Sequence, residues 1–519
     1  MKSSKLAVLA LTLAILAILA GFTKVKGPES RSTANKLLDE SFALSNQIED
    51  SSRVYYLLPL TQAGAKSNHP REREWCKQMF QAAQNVRDPW DRVALEKNAV
   101  VALAAVDSAA AMDLLWRVEA PAPDERGNYP EDVRADAVVA VFPKYLDDQI
   151  KAGPTNDSEA RIHNALGEIH SHAIQIAQTG EYPYRAMEGV IKKLVQRKNE
   201  QSEINLIFTE AVRFYSDTKP KFRNRDSEFL ALLQTAINTV FNPVLVHEGI
   251  DQFVKNTKVP ASQTDVSFEA EYRTRAGEIF KFNDRNKSLL FRALPSIAKA
   301  DPGLAKSLTS EFANFNKASE DMTYISGGVV EGTFSAEQTS AMHAKMQQIS
   351  LLTLIRAKQQ TDPAQALKIT DEVTDDGLRV VAVASTLPGL IRVDPNAAKV
   401  AYNDQRSKLQ EMGDGPARLA ATIALAKAAS TAGNESDFRT FAREAFSQAA
   451  EVYKTDYRER PDVRPDLRKG YSELSEMAQF LATHDFAWTM DLIRSIQNTE
   501  LRAHLLAFAA GAIADDARK

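Results

Sequence analysis

From Thr33 onward, apolar residues recur at helical spacing. Leu37, Leu38, Phe42, Ala43 and Ile48 fit one helix, and Val93, Leu95, Val100, Val101, Leu103 and Val106 fit another, because residues three and four apart share a face. The second set is apolar all round, which predicts a helix at the centre of the fold. Four Asp-Pro pairs, Asp88-Pro89, Asp301-Pro302, Asp362-Pro363 and Asp394-Pro395, predict helix starts. The aspartate accepts hydrogen bonds from free amides of the first turn, and proline, which has no amide hydrogen, loses nothing at the first helical position.

Overlaying those starts exposes a repeat: an aspartate, Ala at +4, Leu or Ile at +7 and a large apolar residue at +11. Three copies fit it fully: Asp107 with Ala111, Leu114 and Val118; Asp301 with Ala305, Leu308 and Phe312; Asp362 with Ala366, Ile369 and Val373. Asp485 joins them with Leu492 and Ile496, Thr489 replacing the alanine. The three positions form one stripe, and a small residue at +4 lets a neighbouring helix come close. The register continues into a second helix, since Ile496 leads to Leu501-Arg502-Ala503 and Val373 to Leu378-Arg379-Val380. Val118 reaches Val133-Arg134-Ala135 only after an insertion, 119–128, whose Pro121, Pro123 and Gly127 read as a loop. Asp362 and Asp394 stand 32 residues apart, matching a helix-turn-helix unit of about 30 to 40 residues. Other starts are separated by 61 and 91 residues, near multiples of that length.

Two stretches break the pattern. Thr323 to Phe334, TYISGGVVEGTF, mixes glycines with short β-branched runs and predicts a short β-hairpin or an ordered loop. Residues 256–265, NTKVPASQTD, read as a linker. The expected organisation is an export segment over 1–27, an N-terminal helical region with degenerate repeats over 28–255, the linker, and a C-terminal helical-repeat region over 266–519.

With a D-P-x-x-A-x-x-L-x-x-I pattern followed by L-R-A, the chain resembles the helical-repeat proteins of the TPR and HEAT kind, particularly exported bacterial ones. The resemblance covers mainly residues 88–145 and 285–513, and the Trp-Leu-Gly-Tyr signature of a standard TPR unit is absent. It implies an all-α fold, an α-solenoid of antiparallel helix pairs. By analogy it also implies a scaffold or adaptor, although such a fold leaves the chemistry open.

Composition agrees with a helical body. Only 21 Gly and 21 Pro in 519 residues argue against an all-β chain built on tight turns. Hydrophobic residues at 44% and charged residues at 25% exclude a disordered, collagenous or polytopic membrane chain. The length suits three or four domains of about 150 residues, or one elongated array. The single cysteine, Cys76, excludes a disulfide framework. Lying among Trp75, Met79 and Phe80 on a helical pattern, it reads as a buried thiol.

The address is written at the N-terminus. Lys2 and Lys5 precede a 17-residue weakly polar to apolar run, Leu6 to Phe22, closed by Lys24 and Lys26. That is an export signal, and the rest of the chain is expected outside the cytoplasm, in the periplasm or anchored to the inner membrane. The run exceeds the about 7 to 15 residues of a cleaved core, yet spans only about 25 Å against a hydrocarbon thickness of about 30 Å. Cleavage after Ala20 or Gly21 leaves Ile18 or Leu19 at the position that favours a small residue, so a cleaved signal and a single-span anchor both stay open. Phe22 stands where a lipid-accepting cysteine would be. Removing the segment before Pro28 carries the net charge from −4 to −8, which attracts neither nucleic acid nor anionic lipid.

No motif defines a reaction: GxSxG, GxxxxGK[ST], GxGxxG and a paired CxxC are absent. His163, His170 and His172, with Glu159 and Glu168, form the densest histidine group. His163 and His170 are about 10 Å apart along a helix, with Gly167 between them, so only the pairs Glu159/His163 and Glu168/His172 have ligand spacing, and two ligands do not make a metal site. His247-Glu248 lacks the second histidine of HExxH. Asp371, Glu372, Asp375 and Asp376 resemble an acidic magnesium motif, but the repeat aligns Asp375 and Asp376 with Asn498 and Thr499, which makes them polar residues of a turn. Lys219, Lys221, Arg223 and Arg225 around Phe222, bracketed by Asp217 and Asp226, read as a solvated basic loop. Trp75, Trp90, Trp116 and Trp488 sit in apolar patterns and are expected in the core.

The sequence therefore predicts an exported helical-repeat scaffold for a protein partner in the cell envelope, with no cofactor, metal or nucleic acid, and membrane contact only through residues 6–22. The alternative is an all-α envelope enzyme acting on a cell-wall or carbohydrate substrate through scattered carboxylates. A self-associating structural envelope protein is a further alternative.

Overall fold

A computed structural model describes residues 28–517 except 49, 119–131, 153–157, 198–199, 218–224, 241, 259–265, 274–278, 310–322, 332–335 and 461–462. The described chain is all-α, with 22 α-helices and one small sheet. No helix among the described residues is long and apolar enough to cross a membrane, and the export segment, residues 6–22, lies outside them. The chain divides into two compact units: Met1–Ala111 together with Ala442–Lys519, and Met112–Phe441. Of the linker expected at 256–265, residues 259–265 lie outside the described residues, while Asn256 and Thr257 close a helix.

The first unit opens with α1 (Pro28–Ser45), α2 (Asp50–Ser67), α3 (Glu72–Ala83) and α4 (Pro89–Val106), and α5 (Ser108–Leu115) follows. Leu37, Leu38 and Phe42 are buried on α1 as their spacing predicts, and Ile48 is buried beyond the helix end. α4 packs against α2 and α3. It buries Val93, Leu95, Val100 and Leu103, but Val101 and Val106 remain exposed, so it is less central than its composition suggests.

The second unit continues with α6 (Val133–Lys151), α7 (Ser158–Thr179), α8 (Tyr184–Val195), α9 (Gln201–Asp217), α10 (Arg225–Thr239) and α11 (Pro243–Thr257). Next come β1 (Val266–Arg273), β2 (Ile279–Phe282), α12 (Arg285–Ala300), α13 (Pro302–Thr309), β3 (Thr323–Glu331) and α14 (Ala336–Lys358). Then follow α15 (Pro363–Ile369), α16 (Asp376–Val393), α17 (Pro395–Glu411) and α18 (Pro416–Thr431). Helices pack on the next but one along the chain: α8 lies against α6 and α10, α10 against α12, α9 against α11, and α16 against α14 and α18.

The strands form one antiparallel sheet of order β2-β1-β3. Ala270 pairs with Phe282 on one side of β1, and Val266 pairs with Glu331 on the other. The stretch expected as a hairpin or loop at 323–334 is instead, over its described part, a single strand paired with residues fifty or more positions earlier. Tyr272 and Ala270 of β1 pack with Phe291 of α12, and the Tyr272 hydroxyl is 2.6 Å from Ser288 Oγ.

The first unit is completed by α19 (Glu435–Glu459), which begins in the second, and by α20 (Tyr471–Ala482), α21 (Phe486–Arg494) and α22 (Thr499–Asp516). α22 is buried on most sides and packs against α1, α2 and α20. Leu501, Leu505, Leu506 and Ile513 are buried there, each contributing about 2 kcal/mol by leaving water. Polar ties fix the register: Ser41 Oγ donates to Ala503 O over 2.8 Å, and Lys66 pairs with Asp515 at 2.6 Å.

Two local devices set the turns. Asp88, Asp107, Asp301, Asp362, Asp394 and Asp485 each accept a first-turn amide through Oδ1, at 2.8 to 3.2 Å. Proline follows four of them, at the first position of α4, α13, α15 and α17, as the sequence predicts. The +4 residues Ala111, Ala305, Ala366 and Thr489 are all buried, while Phe312 lies outside the described residues. The second device is an arginine at the start of a helix that reaches back to a main-chain carbonyl at the close of the preceding helical segment. Arg134 Nε donates to Val118 O at 2.7 Å, Arg379 Nε to Val373 O at 2.8 Å and Arg418 Nη1 to Leu409 O at 2.8 Å. These carbonyls lie at or just past the C-terminal end of the preceding helical segment, where intrahelical donors run out and a cation also suits the negative end of the helix dipole.

Candidate functional site

α7 turns Ile162, Leu166, Ile169, Ala173 and Ile176 into the core, three and four residues apart. His170 lies on the edge of that face and is 9% exposed. α9 brings Glu203 and Glu210 to it, seven residues and two turns apart. His170 Nδ1 is 2.8 Å from Glu210 Oε2, and Nε2 is 3.6 Å from Glu203 Oε2. Nε2 has no hydrogen-bond partner among the described residues. Burial works to lower the pKa of His170, but the two carboxylates together outweigh it and raise the value.

Above this cluster lies an open pocket of about 400 Å³. Glu159, His163, Glu200 and Glu203 surround a floor that includes Ile162 and Leu166. Arg197 spans the rim: Nη2 holds both oxygens of Glu159 at 2.9 and 3.1 Å, and Nε holds Glu200 at 2.8 Å. Glu203 makes its ion pair with His170 only at the longer 3.6 Å.

The histidines singled out by sequence therefore part company. His163 stands at the pocket and His170 below it. His172 packs its ring 4.4 Å from Trp116 and lies 3.6 Å from Glu168, which also accepts from the Tyr145 hydroxyl at 2.6 Å. Among the described residues no three His, Cys, Asp or Glu side chains are placed to hold a metal ion. His247 lies 2.7 Å from the Pro243 carbonyl and 3.7 Å from Asp301. In the acidic run, Asp375 caps α16 by accepting from Leu378 N at 2.8 Å, as Asn498 caps α22 by accepting from Leu501 N at 2.8 Å. That is the turn role the repeat alignment predicts.

Two expectations need correction. Arg225 is not part of a solvated basic loop: it is buried beside Glu181 at 3.7 Å and stacks over Tyr215 at 4.6 Å, because helix α10 begins there and draws it inward. Lys219, Lys221, Phe222 and Arg223 lie outside the described residues. Trp90 is 44% exposed and not in the core, since it sits on the first, outer turn of α4. Trp75 is fully buried against Phe42 and His69, and Trp116 and Trp488 are half-buried. Cys76 is buried, with its thiol pushed up to about 12 by desolvation and then by Glu72.

The first unit holds a second polar cluster that no sequence pattern announces. The buried Tyr471 hydroxyl bonds His504 Nδ1, and Tyr56 lies edge-on to the His504 ring at 4.2 Å while donating to Glu500 at 2.9 Å. Burial lowers His504 to about 3. The contributing helices α2, α20 and α22 are over 400 residues apart at the extremes, which hides the cluster from local reading. The high apolar content of α22 is the signal of burial that the sequence does carry.

The fold defines an all-α protein of capped, closely packed helices. No family model matches the chain, and neither the curated proteins nor the solved structures contain a match to it.

Proposed function

We propose that this chain is an exported helical-repeat scaffold or adaptor that binds a protein partner in the cell envelope, tethered to the membrane where residues 6–22 are retained. The observation that supports this reading is the packing of next-but-one helices, α6-α8-α10-α12 and α14-α16-α18, in the second unit. Packing of that kind stacks helix pairs in the manner of an α-solenoid, in which neighbouring repeats share a core and leave side chains of successive helices in a row on the surface. An extended partner contacts such a row at several points without any group that performs chemistry. Crosslinking in cells, purification of the tagged full chain from the envelope and quantitative mass spectrometry test it. One near-stoichiometric envelope protein is expected. Recovery of the chain alone, no partner exceeding an unrelated exported control, overturns it.

The pocket carboxylates Glu159, Glu200 and Glu203 favour a second reading, an all-α enzyme acting on a cell-wall or carbohydrate substrate. Its test is hydrolysis of purified peptidoglycan that disappears in Glu203→Gln.

A further inference from the structure

We propose that the Asp414-Gly415 linkage is a modification site, at which the chain passes through a cyclic imide to an isoaspartyl linkage with water as the only co-reactant. This chemistry holds whether or not the chain binds an envelope partner. In the first step the Gly415 amide nitrogen bonds to Cγ of Asp414, and the amide hydrogen and the carboxyl hydroxyl leave together as water. In the second, water adds back to one of the two imide carbonyls. Breaking the bond from nitrogen to Cγ restores aspartate. Breaking the bond from nitrogen to the main-chain carbonyl carbon of Asp414 leaves Gly415 joined through Cγ, so the main chain is one carbon longer, the Asp414 α-carboxylate is free and the mass is unchanged.

The first step needs a following residue with no side chain to crowd the nitrogen, and a peptide unit free to turn until that nitrogen meets the carboxyl group. The sequence holds two Asp-Gly pairs, Asp376-Gly377 and Asp414-Gly415, and the structure sets them apart. Asp414 and Gly415 lie in the turn between α17 and α18, and residues 413–417 are all exposed. The Asp414 side chain is 100% exposed, and its ion pair with Arg418 is 3.8 Å long. Neither its carboxylate nor the Gly415 amide makes a hydrogen bond among the described residues. A Cβ on Gly415 would meet nothing within 4 Å, so ring closure displaces no neighbour. Arg418 Nη1 holds the base of the turn, donating to Leu409 O at 2.8 Å and to Met412 O at 2.9 Å, so the tip rotates while both helices stay in place. Asp376-Gly377 instead opens α16, where Gly377 is buried and a Cβ on it would come 2.5 Å from Cβ of Ala417. The cap from Leu378 N to Asp375 spans that linkage. Ring closure there must break the cap and turn the peptide out of helical geometry.

Ageing the folded full chain for weeks at physiological temperature and pH tests this, with two readouts. Peptide mapping by electron-transfer mass spectrometry distinguishes isoaspartate from aspartate at each site, and an isoaspartyl carboxyl methyltransferase with a labelled methyl donor counts the freed α-carboxylates. Isoaspartate is expected to accumulate at 414 roughly tenfold or more faster than at 376, as a modest difference in barrier gives. Asp414→Glu is expected to remove most of the methylation, because its ring would need a sixth atom, while circular dichroism stays that of the parent at so exposed a position. Conversion at 376 equal to or faster than at 414, no isoaspartate at 414 after ageing, or methylation unchanged in folded Asp414→Glu overturns the proposal. None of these outcomes bears on whether the chain has an envelope partner.

Discussion

Gly389 of α16 lies directly against the main-chain carbonyl of Gln359 at the end of α14, so that a Cβ on Gly389 would overlap the carbonyl oxygen. A main-chain atom cannot swing aside as a side chain can. Gly389→Ala is expected to destabilise the second unit by about 2 kcal/mol or more through overpacking. Gly167 of α7 is the control, since a Cβ there meets nothing within 4 Å. Gly167→Ala is expected to stabilise by up to about 1 kcal/mol through helix propensity. Urea unfolding of the two variants beside the parent separates space from backbone entropy.

The arginine that reaches back to the preceding carbonyl makes a second prediction. Arg379→Met removes the donor to Val373 and is expected to cost about 1 to 2 kcal/mol. Arg502→Met is expected to cost less, because its bond to Ile496 O is 3.5 Å long. Thermal unfolding followed by circular dichroism ranks the pair; a larger loss for Arg502→Met would contradict the geometry.

Asp375 tests whether the acidic run serves a cap or a cation. Asn498 performs the same cap in the last repeat. Asp375→Asn should therefore stay within about 0.5 kcal/mol of the parent while Asp375→Ala loses about 1 kcal/mol. Magnesium should leave both differences unchanged.

Two buried histidines give opposite pH dependences. His504 is depressed to about 3 from an ordinary 6.5, so the unfolded chain takes up the proton first. Stability is lost as pH falls from about 6.5 toward 3, by at most about 1.4 kcal/mol per pH unit. His504→Gln should flatten that acid slope. His170 is raised, so its contribution is complete below 6.5 and is lost as pH climbs through the folded value. His170→Gln should narrow the gap to the parent at alkaline pH. Denaturant midpoints measured from pH 4 to 9 resolve both.

Cys76 supplies a probe of unfolding. Its thiol, pushed up to about 12, should react with a disulfide reagent at pH 8 about a thousandfold more slowly in the folded chain than in denaturant. Labelling at the free-thiol rate in native buffer would place Cys76 at the surface.

Local chemistry was the legible part of this fold. Asp362, Asp394 and their equivalents announce caps because capping needs only a side chain and amides two or three residues away. Ala366 at +4 announces close packing for the same reason: its position on the stripe is fixed by helical geometry. Alignment of Asp375 with Asn498 even separates a cap from an apparent cation site. What stayed hidden depends on partners distant in the chain. The strand at Thr323–Glu331 finds its partner in Val266–Arg273, and no periodicity announces that pairing. His170 was visible on α7, but Glu203 and Glu210 reach it from another helix, so its histidine neighbours drew attention that belongs to those carboxylates. Arg225 reads as surface charge beside Lys219 and Arg223 because sequence does not reveal where Glu181 and Tyr215 lie.

Packing of α22 against α1 and α2 also sets an order of events during synthesis. At about 5 to 20 residues per second, Leu38 and Leu60 emerge from the ribosome tens of seconds before the leucines of α22 that share their unit. Until then the apolar faces of the earliest helices await a late partner, which makes this interval the point at which a holding chaperone has most to protect.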